Sequence, residues 1–76
     1  MTRQFSGRRL REARVAAGVT TEHLAIFTRR SAYSIHEYER GRVCPPLHVA
    51  ALLAAALGCT IDDFMDKPDS PVAVTA

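Results

Sequence analysis

Apolar residues in this chain recur three and four positions apart, and no stretch shows the two-residue alternation of a half-buried strand. The segment SGRRLREARVAAGVT predicts a helix from about Gly7 to Ala17. Ser6 stands ready as its N-cap, and Gly18 follows the last turn, where a left-handed residue costs least. Leu10, Ala13, Arg14 and Ala17 share one face of that helix, so a charge lies among apolar neighbours. TTEHLAIFT predicts a second, short helix from Thr21 to about Thr28, capped by Thr20, with Leu24, Ala25 and Thr28 on a common side. Ser31 caps a third that ends at Gly41, where Ala32, Ile35, Tyr38 and the charged Glu39 share a face. Pro45 and Pro46 open a fourth, with Pro46 at the first helical position, and LHVAALLAAALG carries it to Gly58. Thr60 caps a last turn, IDDFM, whose Asp62 and Asp63 suit the positive end of the helix dipole. The pattern predicts an all-α, compact unit of five helices joined by short turns.

With 76 residues the chain is one domain at most, and a chain of that size buries only about 60% of its unfolded surface, so a partner subunit would help its stability. The expected boundary puts the folded domain at residues 1–66 and a flexible tail, KPDSPVAVTA with two prolines, at 67–76, unless VAVTA pairs with something. Cys44 and Cys59 do not make a disulfide scaffold, and the first 20 residues lack the apolar core and cleavage site of a signal peptide. The cytoplasm is the expected compartment. The longest uncharged run, Val43 to Ile61, is interrupted by prolines, His48 and small residues, and so predicts a core helix rather than a membrane span.

A formal net charge of +2 conceals an asymmetry. Residues 1–42 hold nine arginines against four glutamates, a net of +5, whereas residues 43–76 hold one lysine against four aspartates, a net of −3. A basic half carried wholly by arginine suits phosphate, because the guanidinium fork donates in pairs; the plain alternative is a solvated surface.

The second and third predicted helices are separated only by Arg29, Arg30 and Ser31. Two short helices joined so tightly meet at a steep angle, so the later one projects while the earlier one braces it. This is how a helix is presented to the major groove of DNA, which is about 12 Å wide. In TRRSAYSIHEYERG, residues 28–41, Ile35 and Tyr38 are expected to face inward, leaving Ala32, Tyr33, His36, Glu37 and Arg40 outward. Base edges are read near the start of such a helix, so Ala32, Tyr33 and Glu37 are the expected readers, with His36 and Arg40 toward the flanking backbone.

Leu10, Arg14, Gly18, Leu24, Ala25, Ser31, Ile35, Glu39, Gly41, Pro45, Leu57, Gly58, Asp62 and Phe64 fall in one ungapped register over residues 7–64. In that register the chain resembles the phage-repressor and Cro-type, or Xre-like, helix-turn-helix family, a lambda-repressor-like fold with the helix-turn-helix at helices two and three. The resemblance implies a partly buried ion pair between Arg14 and Glu39, since burying either charge alone would cost several kcal/mol. It also implies phosphate contacts at the start of the second helix near Thr21 and in the loop from Arg42 to Cys44. Arg29, Arg30, Arg40 and Arg42 are the candidate phosphate arginines, ahead of Arg8 and Arg11. Departures from the family pattern stand at Thr21 in place of Gln, at Arg29 in place of Gly, and at the unusual reading set Ala32, Tyr33 and Glu37. A non-glycine residue in a left-handed turn costs about 1 kcal/mol, so a rebuilt turn with a longer second helix is expected at Arg29. A glutamate at position 37 would repel phosphates but could accept from cytosine N4, while Ala32 or Tyr33 could touch a thymine methyl.

Other chemistry is weakly signalled. Cys44, His48 and Cys59 lack the closely spaced pairs of a structural zinc site, so no metal and no cofactor are expected. His23 and His36 lie beside glutamates in sequence, but helix neighbours do not face each other and no nucleophile or phosphate-loop motif occurs, so no enzyme and no small-molecule ligand are expected. The fourth helix carries no charge on any side. Core packing accounts for Leu47, Ala50, Leu53, Ala54 and Leu57, leaving Val49, Leu52 and Ala56 as an outer stripe that a second copy would cover. The reading is a sequence-specific regulator of transcription that binds double-stranded DNA as a homodimer on a palindromic operator. Its alternative is a protein-interaction module on the same fold, an antitoxin or docking subunit with Tyr33 and Glu37 meeting protein.

Overall fold

A computed structural model describes residues 4–66. Four α-helices, α1 (Gly7–Ala17), α2 (Thr21–Thr28), α3 (Ala32–Glu39) and α4 (Leu47–Leu57), are followed by a single 3-10 turn at Ile61–Phe64. The last element is therefore a tight turn and not a fifth α-helix: with Thr60 as N-cap, Asp63 N–H donates back to the Thr60 carbonyl at 3.0 Å, and the chain has already left the helical region at Met65. Asp63 reciprocates by accepting from the Thr60 N–H at 3.0 Å, which completes a capping box. The expected tail lies outside the described residues.

The helix ends follow side-chain chemistry. Ser6, Thr20 and Ser31 each accept from the backbone N–H three residues on, relieving one of the donors that every helix start leaves unpaired. At the other end, α1, α2, α3 and α4 all close with the paired backbone bonds of a Schellman turn. Gly18, Gly41 and Gly58 supply the left-handed residue at three of these ends. Arg29 supplies the fourth, with φ 58° and ψ 38°. The turn is not rebuilt, and α2 stops at Thr28.

Leu10, Leu24, Ile35, Val49, Leu53 and Phe64 are fully enclosed and draw α1, α2, α3, α4 and the terminal turn onto one core. The phase of α4 differs from the sequence expectation. Val49 is 0% exposed and Leu47 is 75% exposed, so Val49 cannot lie on an outer stripe. Pro46 is the N-cap and not the first helical residue; Leu47 then falls on the opening turn, while Val49, Ala50, Leu53 and Ala54 face inward. Ala56 is half-buried against the same core, and Leu52 remains on the outside with His48, Ala51 and Ala55. The chain ends of the domain meet as Phe5 and Met65 form one antiparallel bridge. No helix among the described residues is long and apolar enough to cross a membrane.

Candidate nucleic-acid interface

The turn between α2 and α3 is built almost entirely from backbone. Arg29 N–H donates to the Ile26 carbonyl at 3.2 Å and Arg30 N–H to the Ala25 carbonyl at 2.9 Å. Thr28, buried beneath, donates its hydroxyl to the Leu24 carbonyl at 2.7 Å. Ser31 then starts α3 at once, its Oγ accepting from Ser34 N–H at 3.0 Å. With no slack in the link, the direction of α3 is set by α2 and by the burial of Ile35 and Tyr38.

A second brace ties the far end of α3 to α1. Arg14 Nε donates to Glu39 Oε2 at 2.6 Å, Arg14 Nη2 donates to Glu39 Oε1 at 3.4 Å, and Arg14 Nη1 donates to the Val19 carbonyl at 2.9 Å. The two side chains are 15% and 6% exposed, so each charge answers the other where water cannot. Beside this pair, α1 opens directly against the end of α3. A Cβ added to Gly7 would come within 2.3 Å of the Tyr38 carbonyl oxygen, so only glycine lets the two backbones approach this closely. In the sequence Gly7 is merely the first helical residue; the near contact depends on α3, distant along the chain, and has no local signal.

These braces leave one flank of α3 facing outward. Tyr33 is 70% exposed, and His36 and Arg40 are exposed with it. Ala32 is half-buried against the core, so only part of its methyl is available. Ser34, half-exposed on the opening turn beside Tyr33, joins this flank; it is absent from the sequence-expected set, although its place next to Tyr33 on the first turn is the signal for it. Arg29 and Arg30 stand exposed at the near end and Arg42 at the far end. Arg30 Nη2 donates to His48 Nε2 at 3.2 Å, which ties that arginine toward α4.

Two expected contact residues are placed otherwise. Glu37 is only 9% exposed. The Schellman turn at Gly41 folds the chain back over the last turn of α3, so that Arg42 N–H and Val43 N–H both donate to the Glu37 carbonyl, at 3.1 and 3.4 Å. It lines a cleft of about 200 Å³ with Tyr33, Ser34, Tyr38 and Val43. A helical wheel cannot show this, because the covering residues belong to the following loop. Thr21 is likewise buried, its hydroxyl donating to Glu22 Oε1 at 3.3 Å. What the start of α2 can offer a phosphate is therefore backbone: Thr20 Oγ1 caps His23 N–H, and the Thr21 and Glu22 N–H groups precede the first intrahelical bond.

Arg8 is paired with Glu12 at 3.4 Å on the exposed side of α1. Among the cysteines, Cys44 is exposed and Cys59 half-buried. Burial, and then the Asp63 carboxylate, push the Cys59 thiol above its usual range, which keeps it protonated and suited to filling space.

This arrangement matches proteins already known. Residues 7–64 match the family model described as a helix-turn-helix domain. A relative from Aeropyrum pernix, described as an HTH-type transcriptional regulatory protein, is 38% identical over 74 residues. That match covers 93% of this chain and 22% of the relative, so the chain spans about a fifth of the longer protein. Among solved structures, the clp gene regulator ClgR from Corynebacterium glutamicum superposes with a TM-score of 0.73 at 36% identity, over 76% of this chain and 62% of that one. The DNA-binding domain of the P22 c2 repressor superposes with a TM-score of 0.72 at 27% identity, over 82% of each. With residues 7–64 matching that model and the fold shared with the P22 c2 repressor domain, the chain belongs to the helix-turn-helix domain family of the phage-repressor and Cro type.

Proposed function

We propose that this chain is a transcriptional regulator that binds double-stranded DNA in a sequence-dependent way, with α3 in the major groove. The observation that carries the reading is the exposed flank of α3, with Tyr33, His36 and Arg40 outward between arginines at both ends. The exposed Arg29, Arg40 and Arg42 take phosphates on the two sides of the groove, and the N–H groups at the start of α2 add a dipole-assisted contact. Tyr33 and Ser34, with the exposed part of Ala32, are the base-edge contacts, Tyr33 meeting a thymine methyl or a stacked base edge and Ser34 donating or accepting. Arg14 and Glu39 serve structure only, holding α3 at its angle. Catalysis is no part of this reading.

A homodimer on a palindromic operator remains part of the reading, with its surface moved. Leu52 stays outward on α4, joined by Ala51, Ala55 and Leu47 in place of Val49 and Ala56. A two-fold pair would set the two α3 helices about one DNA turn, roughly 34 Å, apart. Selection of bound sequences from random duplex DNA tests both parts. An enriched inverted repeat supports the reading, an enriched single half-site removes the dimer, and no enrichment removes sequence-specific binding.

One observation favours a protein partner instead. Ile26 is 80% exposed and Phe27 stands half out beside it on α2, a pairing that DNA does not require. If that face carries the function, duplex affinity is weak and insensitive to salt, whereas phosphate contacts make it fall steeply with salt.

A further inference from the structure

We propose that Glu37 is a positioning residue that sets sequence discrimination, by pinning Arg40 and Arg42 at the end of α3. The inference rests on the DNA-binding reading above. In a Schellman closure the second residue past the helix cap is laid against the residue five positions earlier, and an apolar pair usually fills that contact. Here the pair is Arg42 and Glu37, with Arg42 N–H donating to the Glu37 carbonyl at 3.1 Å. Arg40, three residues along the helix, reaches the same place from the other side. Arg40 Nη1 lies 3.8 Å and Arg42 Nη1 4.0 Å from Glu37 Oε2.

The partners are unequally placed. The Glu37 side chain is 11% exposed, whereas those of Arg40 and Arg42 are 61% and 67% exposed. Glu37 Oε2 is enclosed and accepts no hydrogen bond among the described residues. A largely buried carboxylate, its Oε2 enclosed, therefore faces two guanidiniums that stand mostly in solvent, and Oε2 has no closer donor among the described residues. Each arginine keeps further N–H groups directed outward, since the guanidinium carries five donors. The result is an anchored pair of cations, where two free arginines would sweep the surface.

Anchoring acts differently on the two kinds of DNA complex. On random duplex, free arginines follow phosphates wherever they lie, so anchoring weakens binding. On the preferred site, base contacts fix the register, and phosphates arrive where the pinned guanidiniums already stand; less freedom is lost on binding. Removing the carboxylate thus strengthens sequence-independent binding more than it strengthens the specific complex.

The test compares Glu37→Gln with the unaltered 76-residue chain by fluorescence anisotropy, on a duplex from the selection experiment and on a random duplex of equal length. The expected result is a fall of about three- to ten-fold in the ratio of the two affinities, with the random-duplex salt slope steeper by about one. Equal tightening on both duplexes, or an unchanged ratio, overturns the role of Glu37 and leaves the DNA-binding reading standing. If the unaltered chain prefers no duplex over random DNA, the functional reading itself fails and the inference goes with it. Should Glu37→Gln not fold, Arg40→Lys with Arg42→Lys keeps both charges and removes the planar forks at exposed positions. That pair of changes is expected to lower the ratio at least three-fold, and an unchanged ratio overturns the inference equally.

Discussion

Arg29 holds a backbone conformation that glycine holds at the ends of α1, α3 and α4. A side chain there costs about 1 kcal/mol through crowding of its Cβ against the carbonyl, yet the turn keeps its geometry because two backbone bonds and the buried Thr28 fix it on either side. Arg29→Gly is therefore expected to raise the melting temperature by several degrees, about 4–8 °C per kcal/mol in a domain of this size. The same change removes a candidate phosphate contact, so duplex affinity is expected to fall while stability rises. An unchanged melting temperature would show that the left-handed arginine is not strained. The opposite balance holds at Glu39. Glu39→Gln leaves the Arg14 guanidinium, 15% exposed, facing an amide, and is expected to cost about 3 kcal/mol, read as a shift in the urea midpoint. A midpoint within error of the unaltered chain would dismiss the brace.

At the scale of elements, the caps and stops of the helices were legible because each is a local event: Ser6, Thr20 and Ser31 accept from N–H groups three residues away, and glycines end three helices. Ile35 and Tyr38 were legible for a related reason, lying three positions apart on one face of a largely polar helix. The face of α4 was not. A helix without a charged residue has no polar side to mark its solvent face, so sequence pattern alone could not separate Leu47 from Val49. The burial of Glu37 was hidden too, because a loop covers it, and so was the close approach of Gly7 to α3, because both depend on tertiary neighbours. The corrected phase of α4 makes a sharp prediction. Leu53→Ala empties part of a sealed core and is expected to cost about 2–5 kcal/mol, whereas Leu47→Ala is expected to stay within about 0.5 kcal/mol. Comparable losses from the two changes in chemical denaturation would return Leu47 to the core and undo the assignment.

For the molecule as a whole, the basic half of the chain supplies α1, α2, α3 and the loop after them, while the acidic half supplies the terminal turn with Asp62 and Asp63. This uneven charge favours approach to DNA through the arginine-bearing part of the chain. On this reading the flank of α3, with its bordering arginines, is the surface that meets duplex DNA. Amide chemical-shift mapping in a titration with a selected duplex decides this. The largest shifts are expected at residues 21–22, 29–34 and 40–43, reduced together by added salt. Shifts concentrated at Ile26 and Phe27 or on the outer face of α4, with Tyr33 and Ser34 unmoved, would contradict it.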